Sequence, residues 1–363
     1  MIYLDYQATT PLAPEALAAM LPWLERQHAN PHSPHAPGRA ARAAVEVARD
    51  AVAALLPPGG RVAFTSGATE ALNWAIKGTA GPIVTFATEH AAVLDTVAAE
   101  AAKGRAVTVL PVGSDGIVDM AAARVAIGPG TGIVAAMLIN NEIGVVQPVA
   151  ELAALARAAG ARMLCDAVQG YGRVVIPEGC DLVAVSAHKI HGPKGVGALW
   201  VRDGIELGPL LHGGGQEAPG RSGTLSPALC AGFGAAARLA ASRMGEDAAH
   251  VARLFDRAIG LVGDGWTLNG SATRRWFGNL NVRRAGLDVA RLMSECRDIA
   301  FSAGSACASG SGRSSHVLRA IGLAEAEARS SIRIGFGRET TEEELVEALT
   351  RIDAAAAAQR LAA

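Results

Sequence analysis

Short apolar segments alternate with longer alanine-rich segments from the first strand-like run to residue 201. The apolar segments lack polar/apolar alternation, which is typical of strands buried on both faces, and the alanine-rich segments have helical composition. This order predicts an α/β fold with a mostly parallel sheet covered by helices. The predicted strands are RVAFTS (61–66), PIVTFA (82–87), GIVAAML (132–138), ARMLCD (161–166), DLVAVSA (181–187) and GVGALWV (195–201).

A glycine-rich segment, LLHGGGQEAPGRSGTLSP at 210–227, ends this alternating region. Beyond it we expect helices with a few strands, such as NLNVRR at 279–284, and a C-terminal helix containing EEELVEALT. The change of pattern predicts two units. We expect a large domain over 15–247 and a smaller α+β domain formed by 1–14 and 248–363.

Charge and apolar patterning restrict the classes of function. The chain has 33 basic and 34 acidic residues without a basic block, so nucleic acid is not an expected partner. Its N-terminal segment lacks the features of a signal peptide, and the longest apolar runs are too short to span a bilayer. The five cysteines show no metal-site spacing, and we expect no resident metal. These features predict a cytoplasmic protein with free thiols.

A lysine between two histidines follows one predicted strand, in VSAHKIHGPKGVGALWV. Most lysines are solvated surface residues. At the carboxyl end of a buried strand, however, Lys189 could be desolvated enough to act as an amine nucleophile. An amine nucleophile needs a carbonyl partner, and the sequence therefore suggests pyridoxal 5′-phosphate.

Other strand ends carry residues that this cofactor would need. Asp166 could keep its pyridine nitrogen protonated, and Gln169 could donate to the ring hydroxyl, although a strand-end Asp is also common in turns. The segment Ser66–Thr69 precedes a predicted helix whose N-terminus could bind phosphate, or could simply be capped there. His90 lies in a strand-to-helix loop and could stack on the ring and move protons, although a lone His is more often structural.

In these residues and in motifs along nearly the whole chain, the sequence resembles the cysteine desulfurases of the iron–sulfur-cluster and nitrogen-fixation type. These enzymes belong to the class V aminotransferase superfamily (fold type I). The motifs are YLDYQATTP (3–11), NPHSPHAPGRAAR (30–42), FTSGATEALNWA (64–75), TEHAAV (88–93), NNEIGVVQP (140–148), DAVQGYG (166–172), SAHKIHGPKGVGALWV (186–201), GGGQEAPGRSGT (213–224), SAGSACASG (302–310), SHVLRAIGL (315–323) and SSIRIGFGR (330–338).

The resemblance implies a mixed seven-stranded sheet with helices on both faces in the cofactor domain, and a role for each site residue. Lys189 would form the Schiff base, Asp166 would pair with the pyridine nitrogen, and Gln169 would contact the ring hydroxyl. His90 would stack on the ring as an acid/base. The remaining contacts would be Ala68, Thr69, Ser186 and His188 with the phosphate, Thr224 with the phosphate of a neighbouring subunit, Asn141 with cofactor and substrate, and Arg333 with the substrate carboxylate.

The resemblance also implies a role for Cys307, which lies in the Ser, Gly and Ala segment SAGSACASGSGRSS at 302–315. In this family a loop cysteine takes sulfur from L-cysteine, leaving L-alanine, and transfers the resulting persulfide to an acceptor. The expected protein is therefore a homodimeric enzyme that supplies an iron–sulfur scaffold protein or a related sulfur acceptor. Cys307 could also be a transient cluster ligand during that transfer.

Three alternatives remain open on the sequence alone. A selenocysteine lyase could use the same residues. An aminotransferase acting on small amino acids would have no use for a second nucleophile such as Cys307. A catalytically silent module for sulfur trafficking would not need Lys189, Asp166, His90 and Arg333 together. The chain departs from the family pattern at Ala218-Pro219 and in the glycine content after Cys307.

Overall fold

A computed structural model of the chain describes residues 1–217, 220–304 and 314–360. Its strands are β1 (Ile2–Tyr3), β2 (Gly60–Thr65), β3 (Ile83–Phe86), β4 (Val107–Leu110), β5 (Ile133–Met137), β6 (Arg162–Asp166), β7 (Leu182–Ser186), β8 (Gly197–Arg202), β9 (Thr267–Leu268), β10 (Asn279–Arg283), β11 (Ile299–Ala300), β12 (Ser302–Ala303) and β13 (Ser331–Gly335). Its α-helices are α1 (Pro14–Glu25), α2 (Ala36–Ala53), α3 (Ala68–Lys77), α4 (Ala91–Ala102), α5 (Met120–Ala126), α6 (Val149–Ala159), α7 (Pro227–Leu261), α8 (Val289–Glu295), α9 (His316–Ala320), α10 (Glu325–Arg329) and α11 (Glu342–Arg360).

Seven strands form the main sheet, in the order β2-β8-β7-β6-β5-β3-β4. Strand β8 runs antiparallel to both of its neighbours, and the pairs from β7 to β4 are parallel. The predicted mixed, mostly parallel sheet is therefore confirmed, together with all six strands predicted from apolar runs. The seventh, the edge strand β4, was not predicted, because only Leu110 among its four residues is buried.

Helices cover both faces of this sheet. Alternate strand residues such as Ala63, Ile133 and Leu199 pack against α3 and α4 on one face. The residues between them, such as Phe64 and Val134, pack on the other face in a cluster that includes α2, α6 and α7. Burial on both faces explains why the strands read as continuous apolar runs.

The C-terminal part contains a four-stranded antiparallel sheet in the order β12-β13-β10-β9. The N-terminus joins this part, because β1 pairs in parallel with β11 and Asp5 bridges to Gly335. The 35-residue helix α7 connects the two sheets without a break and spans the predicted domain boundary at 247/248. Among the described residues, no helix is long and apolar enough to cross a membrane.

Parallel strands bring the ends of β3, β5, β6 and β7 to one edge of the sheet, and the antiparallel β8 begins at that edge. The loop after β3 contains His90, β6 ends at Asp166, and β7 is followed by a 3₁₀ turn over Ala187–Lys189. Strand β2 leads at the same edge into the start of α3. The topology therefore places the predicted functional residues together.

Candidate active site

A cavity of about 590 Å³ opens at this edge of the sheet. Ten of the predicted site residues line it, namely Ala68, Thr69, His90, Asn141, Asp166, Gln169, Ser186, His188, Lys189 and Arg333. They come from the ends of β2, β3, β5, β6 and β7 and from β13 of the second sheet. The structure therefore brings together residues that are up to 265 positions apart in the sequence.

The side chain of Lys189 crosses the cavity to the N-terminal segment. Its Nζ donates to the carbonyl oxygens of Gln7, at 2.5 Å, and Ala8, at 2.7 Å. The backbone of Lys189 is also held, because the Arg173 guanidinium donates to its carbonyl oxygen at 2.9 Å. The amine is thus held at a fixed place in the cavity, with only uncharged acceptors among these contacts.

Asp166 is the last residue of β6, and its carboxyl group is buried. Burial raises its pKa, and the nearby His90, the Val168 N–H and the Lys189 charge oppose that increase. The Val168 N–H donates to Asp166 Oδ1 at 3.0 Å. A buried carboxylate of this kind is stabilised by a cationic partner, and a protonated pyridine nitrogen would supply one.

His90 is the N-cap residue of helix α4, and its imidazole lines the cavity. Its Nδ1 accepts a hydrogen bond from the Ala92 N–H at 3.0 Å, so the proton of the neutral ring lies on Nε2. Burial lowers the pKa of His90, and the Lys189 and His316 charges lower it further against the opposing effect of Asp166. The neutral ring can therefore donate its Nε2 proton within the cavity.

The start of α3 forms one end of the cavity. Ser66, Gly67, Ala68 and Thr69 line that end, where the first N–H groups of the helix have no helical acceptor. Strand β8 passes very close, because a Cβ at Gly197 would lie 2.8 Å from the Gly67 Cα. This end of the cavity has the donors and the dipole that favour an anion.

His188 also lines the cavity. Burial, aided by the charges of Lys189 and Lys194, lowers its pKa to about 4. Its Nδ1 is 3.2 Å from the hydroxyl of Thr9. His188 is therefore neutral at pH 7 and contributes hydrogen bonds without a charge.

The guanidinium of Arg333 also lines the cavity, and the residue is 1% exposed. Its Nη2 donates to Asp5 Oδ1 at 2.7 Å and to Ser302 Oγ at 3.2 Å, and its Nη1 donates to the Asn141 carbonyl at 3.1 Å. Its Nε has no hydrogen-bond partner in the described part of the chain. The group is a buried cation with donor capacity left for a carboxylate.

Gln169 makes contacts that the sequence does not indicate. Its Nε2 donates to the Gln7 carbonyl at 2.9 Å, and its Oε1 accepts from Arg173 at 2.6 Å. Arg173 was missed, although it follows Gln169 by four positions, because a lone arginine has no distinctive pattern. Burial lowers the pKa of Arg173 to about 10, and its guanidinium orients both Gln169 and Lys189.

One predicted site residue, Thr224, lies elsewhere. Thr224 is not among the residues that line the main cavity; it is exposed and lines a second cavity of about 150 Å³ beside Ser66 and Arg221. Cys307 lies outside the described residues, as do Ala218 and Pro219. The other four cysteines, at positions 165, 180, 230 and 296, are buried as expected for core residues.

Comparisons with known proteins agree on one family. A family model described as aminotransferase class-V matches residues 2–349. The chain is 43% identical over 361 residues to cysteine desulfurase IscS of Rickettsia rickettsii (strain Iowa), covering 95% of this chain and 88% of the relative. A solved NifS-like protein superposes with a TM-score of 0.90 at 31% identity, covering 97% of this chain and 98% of that one. SspA, solved in complex with cysteine, gives a TM-score of 0.82 at 35% identity, with 93% and 99% covered.

Proposed function

The chain belongs to the class-V aminotransferase family, as a cysteine desulfurase, and we propose that it acts on L-cysteine through Lys189 with pyridoxal 5′-phosphate as its cofactor. The observation that supports this assignment best is the position of Lys189 and Asp166. Asp166 ends β6 and Lys189 follows the adjacent parallel strand β7, and both line one cavity together with the start of α3.

The residues of the cavity fit this cofactor. Lys189 supplies the amine that would hold its aldehyde, and the buried Asp166 suits its pyridine nitrogen. Ala68, Thr69, Ser186 and His188 would hold the phosphate, and His90 and Gln169 would contact the ring. When bound, pyridoxal phosphate supplies an electron sink for bond breaking at the substrate.

Arg333 would bind the substrate carboxylate, with Asn141 beside it. A guanidinium can bind a carboxylate through two hydrogen bonds, and this one is already held from the other side by Asp5. Once the substrate has displaced the Lys189 amine from the cofactor, that amine would move a proton at the substrate Cα. His90 would move a proton near the substrate sulfur.

Cys307 would then accept the sulfur. Its thiolate would attack the sulfur of the substrate, the carbon–sulfur bond would break, and the bonding electrons would stay with the carbon skeleton until a proton completes L-alanine. The balance is one cysteine and one Cys307 thiol giving one alanine and one Cys307 persulfide. Ser302, the first residue of the segment 302–315 that contains Cys307, accepts a hydrogen bond from Arg333.

The proposal extends to assembly and partners. The enzyme would be a cytoplasmic homodimer in which Thr224 reaches the phosphate of the neighbouring subunit. Residues 15–247 would form the cofactor domain, and 1–14 with 248–363 the smaller domain that carries Cys307. The persulfide would pass to an acceptor protein, with an iron–sulfur scaffold as the proposed recipient.

One experiment tests the cofactor and the reaction together. The protein purified with pyridoxal phosphate should absorb visible light, and L-cysteine should yield equal amounts of alanine and transferred sulfur when a thiol acceptor is supplied. Alanine formed without transferred sulfur, or no visible absorption with full turnover, would contradict the proposal.

A further inference from the structure

Lysine is rare in this chain. Of the 33 Lys and Arg residues only four are Lys, at positions 77, 103, 189 and 194. Lys77 and Lys103 are exposed and lie outside the main cavity. The other two, the half-buried Lys189 and the exposed Lys194, both line that cavity. Lys194 has no role in the function proposed above.

A tight turn holds the backbone around Lys194 close to the segment that begins α3. Gly192 packs directly on the preceding 3₁₀ turn, since a Cβ there would lie 2.8 Å from the Ala187 carbonyl oxygen. Gly195, with φ +84°, reverses the chain into β8. Gly197 of β8 then pairs with Thr65, the residue before Ser66. The backbone on both sides of Lys194 is therefore held against the loop that begins α3.

The charge of Lys194 acts on His188, which lines the same cavity. It contributes to the lowered pKa of His188, which lies among the predicted phosphate ligands. No ion pair in the described ranges of the chain includes Lys194. Lys194 is thus an exposed lining residue of the cavity without a carboxylate partner in the described structure.

A bound phosphate ester needs such a cation. The ester carries close to two negative charges at pH 7, and His188, one of its predicted ligands, is neutral. Of the other cations among the described lining residues, Lys189 would be consumed in holding the aldehyde, and Arg333 is paired with Asp5. The helix dipole of α3 supplies only about half a charge.

We propose that Lys194 binds the phosphate group of the cofactor and supplies the positive charge that balances it. This inference rests on the proposed function, because it assumes that pyridoxal phosphate occupies the cavity. It assigns Lys194 a binding role, separate from the chemistry at the substrate.

The test compares two aldehydes that differ only in the phosphate. Apoenzyme is titrated with pyridoxal phosphate and with pyridoxal, for the wild type, Lys194→Met and Lys194→Arg. A charge-assisted contact that is partly open to solvent predicts about tenfold weaker pyridoxal phosphate binding by Lys194→Met. Pyridoxal affinity should be unchanged, and Lys194→Arg should keep most of the phosphate-dependent affinity because it keeps the charge.

A matched control and a second ligand make the result specific. Lys103→Met also removes one lysine charge, from an exposed pair with Glu100, and should bind both aldehydes as the wild type does. Inorganic phosphate alone should raise the Tm of wild-type apoenzyme more than that of Lys194→Met.

Equal affinity of the wild type and Lys194→Met for pyridoxal phosphate would overturn the inference and leave the proposed function intact. Equal losses for both aldehydes would also overturn it, because the lysine would then act on something other than the phosphate. Wild-type apoenzyme that binds neither aldehyde would overturn the proposed cofactor, and this inference with it.

Discussion

The guanidinium of Arg333 donates to the carboxylate of Asp5 across 2.7 Å, joining β13 to the segment after β1. Ser302, the first residue of the segment 302–315 that contains Cys307, donates to the same Asp5 oxygen at 2.9 Å and accepts from Arg333 at 3.2 Å. The predicted carboxylate-binding group is therefore fixed in direct contact with the start of the predicted sulfur-accepting segment.

Replacing Arg333 by Ala should raise the KM for L-cysteine and leave cofactor absorption unchanged. Loss of a buried charged partner for a carboxylate costs about 2–5 kcal/mol, which corresponds to at least about a 30-fold higher KM. Steady-state kinetics with the loaded enzyme measure this change.

Arg338→Ala is the matched control for that substitution. Arg338 donates to Asp247 at 2.6 Å in a partly buried pair that does not line the main cavity. It should lower the free energy of unfolding without a comparable change in KM. An unchanged KM in Arg333→Ala, or equal KM increases in both variants, would move the carboxylate site elsewhere.

The site residues at the ends of strands could be predicted from the sequence, and the long-range contacts between them could not. Lys189, Asp166 and His90 each follow a recognisable apolar strand, and parallel strands must bring such positions to one edge. The contact of Lys189 with the Gln7 carbonyl joins residues 182 positions apart and depends on how the N-terminal segment packs. Such long-range backbone contacts leave no local pattern, and the same is true of the Asp5–Arg333 pair.

His191 predicts a specific loss of stability in acid. It is 6% exposed, and burial together with the charges of Arg338 and Arg173 lowers its pKa from 6.5 to about 4. Between these two values the unfolded chain binds a proton that the folded protein does not. The free energy of unfolding should therefore fall as pH decreases through this range, by up to about 1.4 kcal/mol per pH unit from this residue.

His191→Asn should remove that contribution. His191 has φ +67°, a conformation that asparagine tolerates, so the backbone can be kept. Urea unfolding at pH 7 and pH 5 should show a smaller stability difference for the variant than for the wild type. The exposed His28→Asn should behave as the wild type, and identical pH dependence in His191→Asn would contradict the assignment.

Mixing two inactive variants tests whether the site is shared between subunits. In a hybrid dimer of Lys189→Ala and Thr224→Ala, one site would have both Lys189 and the partner's hydroxyl, so activity at limiting pyridoxal phosphate should return. Thr224 also lies near Ser66 of its own chain. Absence of recovery after verified subunit exchange would indicate that Thr224 acts within its own subunit.

Cys307→Ser should separate cofactor chemistry from sulfur transfer. Cysteine should still bind and change the cofactor spectrum, because Lys189, Asp166 and Arg333 are unaltered. Persulfide formation should be lost, since a serine hydroxyl is a poor sulfur nucleophile at neutral pH. Mass spectrometry of the wild type after limited cysteine should find the added sulfur on the Cys307 peptide. Added sulfur on any of the four buried cysteines, or full turnover by the variant, would contradict the role of Cys307.

The most direct test of the central claim locates the cofactor on the chain. Borohydride reduction of the enzyme loaded with pyridoxal phosphate would convert the Schiff base between cofactor and lysine to a stable amine. Peptide mapping would then identify the modified lysine. With four lysines in the sequence, the result is unambiguous. The account predicts one cofactor per chain, on the peptide that contains Lys189. Modification of Lys77, Lys103 or Lys194 in its place, or no modification of an enzyme that still forms alanine from cysteine, would contradict it.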